Sequence, residues 1–292
     1  MLQPKYEALA QAQKASGRTP AGAVKNILLR SYNLCQLVRI TGKCFSEAKT
    51  YAVIPIKIHT QPDDSTCGPT SLHAVYRYYK DPISLSDVIK EVPYLDEGGT
   101  LEVLLACHAL ERGYKARIYT YNLHVFDPTW FKLGNEEIIQ KLEAQLKIKK
   151  GSKLKRATMA YIDFLELGGE LRCADLTKSL LRGYFDKGIP LLTGLSATYL
   201  YQSAREYTTP TGESAYDDVL GYPMGHFVVL CGFGEDQQHI VVADPYQENP
   251  YFKNNYYEVS ATRLLNSIML GMSTYDANLL AIQPGANEPV QE

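Results

Sequence analysis

The chain has no apolar run near the ~18 residues that span a bilayer. Its first twenty residues, MLQPKYEALAQAQKASGRTP, lack an apolar core and a small-residue cleavage pattern, so no secretory signal is expected there. It also lacks any C-x-x-C pair, and its six cysteines are too few for a disulfide scaffold of 292 residues. No metal site or cofactor is expected, and the thiols read as reduced, in a cytoplasmic protein. There is no global charge to draw nucleic acid or an acidic membrane, because 30 basic side chains face 32 acidic ones. Tryptophan is nearly absent at one residue and phenylalanine sparse at eight, but there are 22 tyrosines, which suit half-buried walls and clefts. With 45% hydrophobic residues the chain can bury a substantial core, which excludes disorder.

The charge is uneven. Residues 1–50 carry eight basic side chains against Glu7 and Glu47, a net of +6, and the remainder holds −8. The segment has no aromatics spaced for base stacking, so it reads as a separate basic N-terminal extension rather than a nucleic-acid arm. From Tyr51 the character becomes β, with Val53, Ile54, Ile56 and Ile58 in an apolar run that reads as a strand. A turn-forming cluster, Pro62-Asp63-Asp64-Ser65-Thr66, leads into a helix from Cys67 to about Tyr79, where Leu72, Val75, Tyr76 and Tyr79 share one face. Further helices are expected at Ser84–Val92 and Thr100–Arg112, then a strand at Ala116–Tyr121. Residues 131–188 read as a helical insert whose basic run, Lys147 to Arg156, is a solvated face. Pro190–Tyr201 begins as a strand, residues 203–225 form a polar loop, and His226–Cys231, His239–Ala243, Tyr256–Val259 and Asn278–Ile282 are strands. Unbroken apolarity over Phe227–Cys231 predicts burial on both faces.

Thiol nucleophiles react as thiolates, which a helix N-terminus and a nearby imidazolium favour. Cys67 alone has the first of these, and Gly68 reads as room for a substrate backbone. Cys107 and Cys231 fall within apolar segments and read as core residues; Cys35, Cys44 and Cys173 carry no functional signal. An antiparallel hairpin turning at Glu235 sets His226 opposite Asp244, a carboxylate that would orient the imidazole. Gln61, across a short turn from Cys67, can join the Cys67 backbone N–H in stabilising an oxyanion. Asp217 and Asp218 in the loop before His226, with Asp63 and Asp64, would give an acidic cleft favouring basic or amine-bearing substrates.

Gln61-x5-Cys67-Gly68-Pro69, Gly225-His226-Phe227-Val228-Val229-Leu230 and Val242-Ala243-Asp244-Pro245 together resemble the bacteriocin-processing, double-glycine-leader peptidases among papain-like cysteine peptidases. The resemblance covers about residues 55–120 and 189–283 and is nearest to the stand-alone bacterial type without a transporter. It implies an α+β papain-like domain over 51–292, with a catalytic helix packed on an antiparallel sheet and the insert at 131–188. Cys67 would be the nucleophile, His226 the general base and acid, Asp244 the orienting residue and Gln61 the oxyanion donor. The reaction would cleave a peptide or amide bond through an acyl-enzyme; the alternatives are an acyltransferase with an amine acceptor and a non-catalytic peptide-binding module. Some similar stand-alone proteins accompany ATP-grasp amide ligases, so a functional link to such a ligase is a further expectation.

Overall fold

A computed structural model describes residues 53–95, 98–209 and 214–285. The basic segment 1–50, with Cys35 and Cys44, lies outside the described residues. No helix among them is long and apolar enough to cross a membrane.

The first helix, α1 (Cys67–Tyr78), starts where the turn cluster ends. Pro69 sits in its first turn, where a missing N–H breaks no helical bond. Leu72, Val75 and Tyr76 are buried as their spacing predicts, whereas Tyr79 is half-buried beyond the helix end. Next come α2 (Leu85–Glu91), whose N-cap Ser84 accepts the N–H of Asp87, α3 (Glu102–Glu111) and the strand β1 (Lys115–Thr120). Residues 131–188 hold α4 (Asn135–Ile148), α5 (Ser152–Glu166), a short strand β2 (Glu170–Arg172) and α6 (Lys178–Phe185).

The C-terminal part supplies most of the sheet. β3 (Leu191–Ser196) runs straight into α7 (Ala197–Tyr201), so only the first half of the Pro190–Tyr201 stretch is a strand. β6 (Gly225–Phe233), β7 (His239–Ala243), β8 (Tyr256–Ser260), α8 (Ala261–Leu270) and β9 (Asn278–Gln283) follow. Between β3 and β6, the stretch read as loop contains a separate two-stranded hairpin, β4 (Glu206–Thr208) and β5 (Ser214–Tyr216).

The seven-stranded sheet has the order β2-β1-β9-β3-β6-β7-β8, and only the β1–β2 pair is parallel. Every residue of β3, and Phe227 through Phe233 of β6, is buried, as expected for strands covered on both faces. α1 packs on β6, where the Ser71 hydroxyl donates to the Phe227 carbonyl at 3.1 Å. The class is α+β, and a helix carrying the thiol against an antiparallel sheet carrying His226 and Asp244 is the papain-like layout.

One expected strand does not form. Residues 53–60 run beside the sheet without a ladder; the Ile54 N–H reaches the Cys231 carbonyl at 2.8 Å, the Ile56 N–H turns back to the Ile54 carbonyl at 2.8 Å, and the Gln61 N–H reaches the Pro245 carbonyl at 2.9 Å. Pro55 has no N–H to offer a neighbouring strand, and the Ile58 N–H is taken by the phenol of Tyr256. Ile54 and Ile56 are nonetheless buried and Val53 exposed, so the apolar alternation is real although the ladder is not.

Candidate active site

The entry to α1 is fixed by short-range bonds. The Asp63 carboxylate accepts the N–H and hydroxyl of Ser65, and the Thr66 hydroxyl donates to the Asp63 carbonyl. Burial raises the Asp63 pKa, but the bonds from Ser65 and Thr66 outweigh it and hold the carboxyl below its ordinary value. Thr66 occupies the N-cap without a side-chain cap bond, and no acidic residue lies in the first turn. The first turn of the helix is therefore left without a side-chain cap, and its positive end surrounds Cys67, which is buried at the helix start.

The imidazole of His226 lies on β6 against this thiol. Its Nε2 is 2.8 Å from Asp244 Oδ1, with both side chains buried. The Cys67 thiol lies near enough to the same imidazole to favour its charged form, and with Nε2 on Asp244 it is Nδ1 that remains for the sulfur. Burial disfavours the imidazolium, but the charge of Asp244, the hydrogen bond with it and the contact with Cys67 prevail and push the His226 pKa up to about 10.

The hairpin register differs from the expected one. Val229 pairs with Ala243 and Leu230 with Val242, and the register then shifts at a bulge before Gly232. Continuing the ladder sets Asp244 level with Val228 rather than His226. The imidazole reaches Asp244 diagonally, a span that a long side chain can bridge.

Four donors converge on the Asp244 carboxylate. Oδ1 also accepts the Tyr246 N–H at 2.8 Å, and Oδ2 accepts the phenols of Tyr201 and Tyr257, each at 2.7 Å. The Asp244 carbonyl accepts from the Asn255 amide at 2.7 Å. A fully buried carboxylate survives only when so compensated. Tyr201 and Tyr246 set their rings around His226 with centroids at 6.1 and 6.3 Å. Neither Tyr201 nor Tyr257 is singled out by sequence reasoning; the tyrosine surplus is the one signal that points to them.

Other expected residues fare differently. The Gln61 side-chain amide donates to the Asp63 carbonyl at 2.9 Å, leaving its second N–H, and its Oε1 is buried without a partner. Gly68 is required for another reason than room for substrate. A Cβ there would lie 2.6 Å from Thr100 Cγ2 and 3.3 Å from Leu105 and Phe227, so the missing side chain lets α1 close on the sheet. Gly225, before His226, is equally constrained: a Cβ would sit 2.0 Å from the Asp276 carboxylate. Asp217 is a turn former, its Oδ1 accepting the N–H groups of Val219 and Leu220 at 2.7 and 2.6 Å, which hold its pKa low. Asp218 is exposed, and its carbonyl accepts from Arg205. Glu206 on β4, a half-buried carboxylate that sequence reasoning passed over, interacts electrostatically with His226, as does the buried Asp276.

Cys231 is buried and Cys107 half-buried, and burial pushes both thiols up to about 12, in keeping with core roles. Cys173 is exposed.

Fold and site together define the class: a thiol at a helix N-terminus, facing a histidine held by a buried carboxylate on an antiparallel sheet. Residues 158–264 match the model of the Peptidase_C39 like family, in agreement with the resemblance read from the motifs. The match takes in His226 and Asp244 and begins within the stretch read as the insert, so Gln61 and Cys67 lie before its start. No curated protein matches the chain. Similar solved structures include a C39-like peptidase from Bacillus anthracis, at 14% identity over 79% of this chain and 96% of that one, with a TM-score of 0.38. A double-glycine motif protease from an AMS/PCAT transporter, solved with its leader peptide, is 14% identical over 80% and 96%, TM-score 0.38. Xylellain, a cysteine protease from Xylella fastidiosa, is 14% identical over 79% and 83%, TM-score 0.35.

Proposed function

We propose that this chain is a cysteine peptidase that hydrolyses a peptide or amide bond through Cys67, His226 and Asp244. The observation that carries the reading is the buried 2.8 Å bond from His226 to Asp244, with the helix-start thiol of Cys67 near the same imidazole. A merely structural histidine needs no thiol at a helix N-terminus on its second nitrogen.

In this reading the Cys67 thiolate attacks the carbonyl carbon, and the carbonyl electron pair moves onto oxygen. The Cys67 backbone N–H and the free N–H of the Gln61 amide receive that oxyanion. His226 gives its proton to the leaving nitrogen, the C–N bond breaks and a thioester remains. Water then attacks the thioester carbonyl while giving a proton to His226, and the C–S bond breaks to restore the thiolate. Asp244 keeps the imidazole oriented throughout. The reading keeps 51–292 as the catalytic domain and 1–50 as a basic extension, in a cytoplasmic enzyme whose substrate chemistry fits a link to an ATP-grasp amide ligase.

The test incubates wild type and Cys67→Ala with a peptide library and nucleophilic amines and records product masses. Cleaved peptides carrying one added water, present for wild type and absent for Cys67→Ala, are expected. Amine adducts in place of acids would establish acyl transfer, and intact peptides throughout would overturn the reading.

A further inference from the structure

The hairpin β4–β5 stands next to the catalytic pair and is tied to both sides of it. On one side Ser214 Oγ donates to Asp64 Oδ2 at 3.1 Å, joining the hairpin to the turn that precedes Cys67. On the other, Glu206 pairs with Tyr222, exchanging backbone bonds of 3.1 and 2.8 Å, four residues before His226. Glu206 also pairs with Tyr216 across the hairpin, and Tyr216 interacts electrostatically with Tyr246, whose ring lies edge-on to His226. A continuous wall, Glu206 to Tyr216 to Tyr246, thus leads up to the imidazole.

Glu206 is half-buried, and no Lys or Arg pairs with it among the described residues. Its charged neighbours are the His226 imidazole and the Asp64 carboxylate, and burial raises its pKa above the ordinary value. His226 is already matched by Asp244 and Cys67. A partly desolvated carboxylate without a fixed cation, flanked by phenol rings, presents the chemistry that receives an ammonium or guanidinium group.

We infer that Glu206 is the specificity-determining residue of the cleft, and that it selects substrates bearing a cationic side chain or amine beside the bond to be cleaved. The inference rests on the reading of Cys67 and His226 as the reacting pair. It moves the acidic selectivity expected of Asp217 and Asp218 to Glu206, a half-buried carboxylate near the imidazole.

The test uses the whole chain and does not require turnover. Cys67 is modified with cationic, neutral and anionic methanethiosulfonates of equal size, and its rate is read from the mass of the peptide that contains it. In wild type the cationic reagent should react at least about tenfold faster than the anionic one. Glu206→Gln should cut that ratio about tenfold while leaving the neutral reagent within about twofold, and Glu206→Lys should reverse the order. An equal ratio in wild type, or one unchanged in both variants, overturns the inference. Peptides with Lys or Arg beside the scissile bond should lose about tenfold in kcat/KM in Glu206→Gln relative to neutral peptides. Retained charge preference at Cys67 with no cleavage of any peptide would count against the peptidase reading alone. Cleavage retained without charge preference would count against Glu206 alone.

Discussion

Replacing Asp244 by Asn removes a charge and keeps a shape. Oδ1 can stay against His226 Nε2 and the Tyr246 N–H, while the new Nδ2 donates to the phenols of Tyr201 and Tyr257, which accept as readily as they donate. The fold should therefore survive while the electrostatics change. In the native protein Asp244 and Cys67 overcome burial and push the His226 pKa from its usual 6.5 up to about 10. That difference corresponds to about 5 kcal/mol in favour of the imidazolium. A group with a raised folded pKa contributes its full stability below the unfolded value and loses it as pH rises through the folded one. Wild-type stability, measured by urea unfolding, should thus fall by several kcal/mol between about pH 6 and about pH 10. In Asp244→Asn this slope should nearly vanish, because burial without the carboxylate leaves the imidazole neutral across the window. Iodoacetamide labelling gives the functional counterpart: near pH 7 the variant should label at Cys67 at least about tenfold more slowly. Equal slopes and equal labelling in the two proteins would refute the claim that Asp244 sustains the imidazolium.

The phenols that hold Asp244 should act through it. Tyr201→Phe and Tyr257→Phe each remove one bond to a buried charge and should each cost about 1.5–3 kcal/mol in urea unfolding. In a substrate assay they should lower kcat while leaving KM within about twofold, since neither residue need touch substrate; a change confined to KM would contradict this. Gly68→Ala should destabilise by about 1–3 kcal/mol, because its Cβ would meet Thr100 Cγ2 at 2.6 Å. Thr100→Ser, which removes that methyl, should recover part of the loss, and a neutral Gly68→Ala would show that α1 is not closed against Thr100. Asp217→Asn should leave the charge preference at Cys67 unchanged, since its carboxylate is occupied by the N–H groups of Val219 and Leu220.

What the sequence makes legible follows the range of the interactions involved. Cys67 is legible because everything that marks it is local: a turn cluster, a proline allowed in the first turn, and an apolar face beginning just after it. The His226–Asp244 pair is legible although the assumed register is displaced, because the turn centres later than Glu235 and the resulting diagonal offset is one that a long side chain can span. The strand expected at Val53–Ile58 fails on one residue, since the alternation that buries Ile54 and Ile56 says nothing about Pro55's missing donor. Gly68 reads from the sequence as room for a substrate backbone, whereas the closeness of Thr100, 32 residues away, cannot be seen from spacing. Tyr201, Tyr257 and Glu206 are the hardest cases, because three separate segments must converge before any of them meets the site. The count of 22 tyrosines already implied half-buried walls, yet composition cannot say which rings they are. A polar stretch such as 203–225 hides its content for a related reason: a two-stranded hairpin of three residues a side has too little periodicity to register. Of the acidic residues most visible in that stretch, Asp217 is a turn former whose carboxylate serves the N–H groups of Val219 and Leu220, and Asp218 is exposed. Glu206, on a strand with no turn to serve, keeps its carboxylate available to act on the imidazole.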